Sequence, residues 1–217
     1  MAARARYAVF DLDDTLYPAD CGMWLEIRDR ITCYMVERLG VSEADASVQR
    51  QRYFREYGTS LAGLRHDFPD IDTDEYLAYV HNVPYELYLS RDEALSAMLS
   101  KLNMAKSVFT NSDQAHAFRV LSALGVERHF DVIVDLYATN FINKPRLGAF
   151  DVLFRVLEAE PQECVLIDDQ VRNLQTAQSL GMATVLVRPD GGADEFADFC
   201  VPDIVTAGEA IKQLVTG

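Results

Sequence analysis

The sequence has little that would brace a chain from outside its own core. Its four cysteines, Cys21, Cys33, Cys164 and Cys200, form no C-x-x-C pair and find no histidines at zinc spacing. That excludes a zinc module and points to free thiols in a reducing compartment. Positive charge is scarce, with 20 Lys and Arg against 34 Asp and Glu, a net of −14. Nucleic acid polymers and anionic membranes are bound through Lys and Arg, so such a surface argues against both. No run approaches the ~20 apolar residues of a membrane span. Met1 to Arg6 is basic, but only Tyr7 to Phe10 follows as an apolar run, too short for a secretory signal. Internal repeats and low-complexity linkers are absent. The expected setting is cytoplasmic, as a monomer or homodimer.

What is present is enough apolar surface for a proper core, 49% of 217 residues, in one domain with a modest insertion. Tyr7 to Phe10 stops abruptly at Asp11. Ala105 to Phe109 ends in Thr110, Cys164 to Ile167 ends in Asp168, and Ala183 to Val187 has the same form, with Phe130 to Val134 a fifth. Short, largely apolar runs are the pattern of strands buried on both faces. Helical patterns separate them. Ser90-x-x-Glu93 reads as a capping box; Phe118, Leu121 and Leu124 make a face ending at Gly125; Phe150, Leu153, Phe154 and Leu157 follow Pro145; Val171, Leu174 and Ala177 run to Gly181. Alternation of this kind predicts an α/β fold, a Rossmann-like parallel sheet sandwiched by helices.

Residues 18–89 break the rhythm. Trp24, Ile27, Ile31, Tyr34 and Met35 form one helical stripe and Val48, Tyr53, Phe54 and Tyr57 a second. Asp72-x-x-Glu75 opens a third, with Tyr76, Leu77 and Val80. No strand pattern occurs there, and the Gly58 to Leu64 segment reads as a loop. The expected organisation is a core of residues 1–17 and 90–217, with residues 18–89 as an inserted all-helical cap domain.

Ligands of open parallel sheets sit beyond the carboxyl ends of the strands. The residues there are Asp11-Leu12-Asp13-Asp14-Thr15, Thr110-Asn111-Ser112-Asp113 and Asp168-Asp169, with Lys144 just before Pro145. A sheet that gathers these ends would crowd Asp11, Asp13, Asp168 and Asp169 into one cleft. Carboxylates so close raise one another's pKa unless a cation joins them. Oxygen-only ligands point to Mg²⁺. Lys144 and the Thr110 hydroxyl add charge and donors suited to a phosphoryl group. The four histidines show no metal spacing, and no catalytic role is read for them.

The run Phe10 to Leu16, then Thr110-Asn111, Lys144-Pro145 and Ile167-Asp168-Asp169, resembles the four ordered motifs of the haloacid dehalogenase superfamily. An insert directly after the first motif is similar to that superfamily's first type of cap. Tyr53-x-x-x-Tyr57-Gly58-Thr59-Ser60-Leu61-Ala62-Gly63-Leu64 is similar to its pyrimidine 5′-nucleotidase-like branch. The resemblance implies that Asp11 attacks phosphorus and that Asp13 serves as acid and then base. It implies a phosphate-binding set of Leu12, Thr110, Asn111 and Lys144. It implies a Mg²⁺ site of Asp11, Asp169, Asp168 and Asp13, the last through its backbone carbonyl, with Asn111 and Asn173 behind the site. Substrate selection would fall to the cap, with Tyr57, Gly58 and Arg65 as candidates. The expected activity is hydrolysis of a small phosphorylated metabolite, such as a pyrimidine nucleoside 5′-monophosphate. A sugar phosphomutase would use the same chemistry with the phosphate returned to the substrate. A phosphoacceptor signalling module would place its acidic pair first and its phosphorylated Asp later, the reverse of the order here.

Overall fold

The computed structural model describes residues 5–216; Met1 to Arg4 of the basic N-terminus, and Gly217, lie outside the described residues. Six strands form one parallel sheet: β1 (Tyr7–Phe10), β2 (Ala105–Phe109), β3 (Val132–Val134), β4 (Cys164–Asp168), β5 (Ala183–Val187) and β6 (Phe199–Val201), in the order β3-β2-β1-β4-β5-β6. The chain lays β2 and β3 to one side of β1, then crosses to the other side for β4. That reversal puts the topological switch point between β1 and β4, where Phe10 is in register with Ile167. In such sheets the ligand crevice opens at that point, beyond the carboxyl ends.

All five residues of β4 are buried. Its apolar run does not alternate because helices cover both faces of the sheet. Those helices are α5 (Glu93–Ser100), α6 (Gln114–Leu124), α7 (Leu147–Leu157), α8 (Val171–Leu180) and α9 (Ile204–Thr216). One core cluster joins Val9, Phe109, Phe150, Leu153, Leu166, Leu174 and Leu186, with Phe109 and Phe150 edge to face at 5.3 Å. Gly125 and Gly181 end α6 and α8 in the left-handed conformation, as glycine past a helix end commonly does.

Several expectations are corrected. The cap of α5 is Asp92, whose carboxylate accepts from the Leu95 N–H, and not Ser90. Phe118 is solvent-exposed, and α6 buries His116, Ala117, Val120, Leu121 and Leu124 instead. The fifth strand begins at Val132; Phe130 precedes it and packs edge to face on Phe10 at 5.7 Å. Strand β6 went unread because three residues at a sheet edge leave almost no pattern.

By its contacts the chain divides into two compact units, residues up to Asp20 together with those from Leu89, and Cys21–Tyr88. The second unit contains α1 (Met23–Glu37), α2 (Glu43–Tyr57), α3 (Ser60–Asp67) and α4 (Thr73–Val80). Asp72 caps α4 through the Glu75 N–H, as its capping pattern requires. Val48 and Phe54 are exposed, so α2 contributes Ala46 and Tyr53 to the interior rather than the stripe read from sequence. The Gly58 to Leu64 segment is not a loop. Gly58 takes φ 89° to end α2, and Thr59 caps α3 by accepting from the Ala62 N–H.

That tight turn presses α3 on α2. An ideal Cβ on Gly63 would stand 2.2 Å from the ring of Tyr53, itself fully buried and donating to Asp67 Oδ2 at 2.7 Å. Gly63→Ala would gain at most about 1 kcal/mol of helix propensity. The overlap with a fixed ring should cost more, roughly 1–3 kcal/mol or above. Calorimetry should show the Cys21–Tyr88 unit melting several degrees lower; an unchanged or higher midpoint would mean that α3 can slide off α2 without loss.

Candidate active site

The ladder of β1 runs one residue past its end, since the Asp11 N–H donates to the Ile167 carbonyl at 2.8 Å. This bond fixes the Asp11 backbone beside β4. Leu12 is wholly buried, and Asp14 turns the chain in the left-handed region, φ 58°. The Leu16 N–H closes the turn on the Leu12 carbonyl at 3.0 Å, and the Thr15 hydroxyl reaches Asp11 Oδ2 at 3.3 Å.

At the end of β2, Thr110 is anchored by its N–H to the Val134 carbonyl, and its Oγ1 accepts from the Ser112 N–H at 3.0 Å. The Asn111 side chain is turned to the lysine loop. Its Nδ2 donates to the Lys144 carbonyl at 3.2 Å while its Oδ1 accepts from the Lys144 N–H at 2.8 Å. This side chain clamps the lysine loop by its backbone.

So held, Lys144 is 1% exposed, and its Nζ donates to Asp11 Oδ1 and to Asp168 Oδ2, both at 2.8 Å. The face of Phe109 lies 5.1 Å from the ammonium, adding a cation–π contact. Asp168, the last residue of β4, is fully buried and engaged on both oxygens. Oδ1 accepts from the Gln170 N–H at 2.8 Å, and Asn173 Nδ2 lies 2.9 and 3.0 Å from Oδ1 and Oδ2. Asn173 is therefore buried behind the site and not on a helix surface. Asp169 is held by the Gln170 side-chain amide.

One carboxylate oxygen from each of Asp11, Asp168 and Asp169 lies within 4.8 Å of the others. The Asp13 carboxylate is not of this trio; the role that the resemblance gives Asp13 there concerns its backbone carbonyl. Burial, then Asp11 and Asp168, push Asp169 up to about 8. Burial pushes Asp11 up to about 7 against the pull of Lys144. For Lys144 burial works the other way, but the two carboxylates outweigh it and raise its pKa. Three carboxylates against one ammonium leave an excess of negative charge in a buried place. All-oxygen donors with that excess fit a hard divalent cation.

The structure thus brings together Asp11, Lys144, Asp168 and Asp169. Asn111 and Asn173 brace them through the Lys144 backbone and the Asp168 carboxylate. Tyr57, Gly58 and Arg65 belong to the second unit. Tyr57 packs on His66 with the rings tilted by 42° and centroids 5.0 Å apart, and Gly58 serves as the end of α2. Sequence reasoning missed three residues around Asp13. Tyr17 Oη donates to Oδ1 at 2.6 Å, Ser112 Oγ donates to Oδ2 at 2.9 Å, and His116 Nε2 is 2.7 Å from Oδ1. A signal existed, since His116 is a polar residue on the apolar face of α6.

No helix among the described residues is long and apolar enough to cross a membrane. The family model of haloacid dehalogenase-like hydrolases matches residues 5–181. Phosphate metabolism protein 8 of Saccharomyces cerevisiae is 28% identical over 191 residues, 82% of this chain and 60% of that protein, so the chain spans less than two thirds of that relative. A phosphoglycolate phosphatase of Pectobacterium atrosepticum is 23% identical over 206 residues, covering 92% of this chain and 87% of that one. Among solved structures, the magnesium-bound hydrolase YfnB of Bacillus subtilis shares the fold at a TM-score of 0.65 and 17% identity, over 99% of this chain and 100% of that one. With the acidic trio at the switch point and the family match over most of its length, this chain belongs to the haloacid dehalogenase-like hydrolases.

Proposed function

We propose that the chain is a Mg²⁺-dependent phosphomonoester hydrolase that works through an aspartyl-phosphate on Asp11. The observation that carries this reading is the Lys144 ammonium, buried between Asp11 and Asp168 beside Asp169. This sets a fixed positive charge against the acidic trio of Asp11, Asp168 and Asp169 at the ends of the paired strands β1 and β4, the arrangement that attack by Asp11 on a phosphoryl group would need. Displacement of halide from carbon would call for neither the trio nor an acid at Asp13.

In this scheme an Asp11 carboxylate oxygen attacks phosphorus as the bond to the leaving oxygen breaks. Asp13 gives its proton to that oxygen. Water then attacks phosphorus, Asp13 takes a proton from it, and the bond to Asp11 breaks to release inorganic phosphate. Lys144 and the Thr110 hydroxyl hold the phosphoryl oxygens and mute their repulsion of Asp11. Asp11 and Asp169, with the Asp13 carbonyl, would hold Mg²⁺; Asp168, already occupied on both oxygens, would act on it from behind. When bound, Mg²⁺ supplies neutralising charge for the phosphoryl group and the carboxylates.

The Cys21–Tyr88 unit is proposed as the cap that selects the leaving group. A pyrimidine nucleoside 5′-monophosphate is the proposed substrate, on the strength of the Tyr53 to Leu64 resemblance, with Tyr57 and Arg65 as its contacts. Phosphatase names among the relatives, and magnesium in the Bacillus structure, support the reaction class. Nucleic acid polymers and membranes are not proposed as partners.

The wild type should release phosphate steadily from UMP or CMP with Mg²⁺ present. EDTA should abolish release, Mg²⁺ restore it and Ca²⁺ support it poorly, because Ca²⁺ takes more ligands at longer distances. Full turnover in metal-free buffer would reject the metal site. Migration of phosphate within a sugar phosphate, without release, would make the protein a mutase.

A further inference from the structure

Asp13 lies among donors from three separate segments: Tyr17 on the loop after β1, Ser112 on the loop after β2, and His116 on the first turn of α6. His116 is wholly buried, as are the adjoining Ala117 and Val120. An imidazole in such a place loses hydration that an apolar side chain would not, unless a hydrogen bond offsets the loss. Its backbone N–H already serves the helix cap, donating to Asp113 Oδ1 at 2.8 Å, so the side chain is not needed to start α6. The ring reaches Asp13 Oδ1.

We propose that His116 is a positioning residue which, with Tyr17 and Ser112, holds the Asp13 carboxyl in one orientation for proton transfer. This rests on the hydrolase reading of Asp13. With Asp13 ionised, Nε2 carries the hydrogen, and Oδ1 accepts from both His116 and Tyr17. Two donors use the two lone pairs of that oxygen. Proton exchange with the leaving group and with water then falls to Oδ2. Ser112 can follow that change, because a hydroxyl can turn from donor to acceptor as the proton comes and goes. An acid–base group fixed in this way starts each step near its transfer geometry instead of searching for it.

The role is tested on leaving groups. An alkyl phosphate needs its departing oxygen protonated, whereas an aryl phosphate needs little help. His116→Leu keeps the apolar volume and removes the donor. His116→Gln keeps a side-chain N–H at a helix position that favours glutamine. We expect His116→Leu to lower kcat/KM, which covers the steps up to departure of the leaving group and not the shared attack of water, roughly 10–100-fold for the alkyl ester and less than about threefold for the aryl ester, out of the 10²–10⁴ typical of general acid–base help. His116→Gln should recover much of the alkyl rate, and Asp13→Asn should set the upper limit of the split. Equal loss of kcat/KM for both esters, or no recovery with glutamine, overturns the proposal. Should His116→Leu fail to fold, Tyr17→Phe carries the test, since it deletes one hydroxyl and should show the same split on a smaller scale. A wild type that cleaves neither ester refutes the hydrolase reading, and this role with it. A wild type that cleaves both, with an unchanged ratio in the variants, refutes the positioning role alone.

Discussion

Asp11→Asn should lose at least about a thousand-fold in turnover, with its fold intact, because a covalent route fails altogether when its nucleophile is removed. The substitution is nearly isosteric. The Asp11 N–H keeps its bond to the Ile167 carbonyl, and Lys144 keeps Asp168 as a partner at 2.8 Å. Circular dichroism and the melting midpoint should stay close to wild type, while phosphate release falls to background. The wild type, quenched in acid during turnover, should carry phosphate on the peptide containing Asp11; the variant should carry none. A variant that kept a tenth of the rate would move the nucleophile to another residue.

Lys144→Met should damage both activity and stability, for one electrostatic reason. The ammonium is the positive partner of Asp11 and Asp168, and it is buried. Removing one member of a buried ion pair leaves the other uncompensated, at a cost of roughly 3–5 kcal/mol. For a chain of this size each kcal/mol moves the melting midpoint by about 2–4 °C, so a fall of about 6 °C or more is expected near neutral pH. Turnover should drop by roughly 10²–10³, the loss typical when one fixed donor to a developing negative charge is deleted. Magnesium binding, followed by calorimetry without substrate, should not weaken and should tighten, because a positive charge has left the carboxylates. Loss of metal binding together with activity would make Lys144 a scaffold of the metal site rather than a phosphate donor.

The sheet was legible because its strands are buried on both faces. The run Cys164 to Ile167 has no polar alternation to confuse it with a surface strand, and it stops at Asp168. Where burial was one-sided the reading slipped. Phe118, Val48 and Phe54 have apolar side chains, yet each lies on the outer face of its helix. Composition alone does not distinguish an exposed phenylalanine from a core one. The Gly58 to Leu64 segment read as a loop because two glycines in seven residues depress helix propensity. One of them ends a helix, and the other makes room for Tyr53 inside the next.

By itself the sequence determined which chemical groups the protein has to work with, and in what order along the chain. A carboxylate follows the first strand, a hydroxyl the second, a lysine the third and an acidic pair the fourth. Tertiary structure decided how those groups are divided. Asp168 was engaged by Lys144 and Asn173 while Asp169 stayed at the edge of the trio. The Asn111 side chain went to the lysine backbone. His116, one of four scattered histidines, came within 2.7 Å of Asp13 from 103 residues away in the chain. A hydrogen bond acts over about 3 Å, whereas a motif fixes only the separation along the chain. Which of two neighbouring aspartates faces an ammonium is therefore settled by the parallel pairing of β1 and β4 and by the first turns of α6 and α8, where packing sets the direction of each side chain.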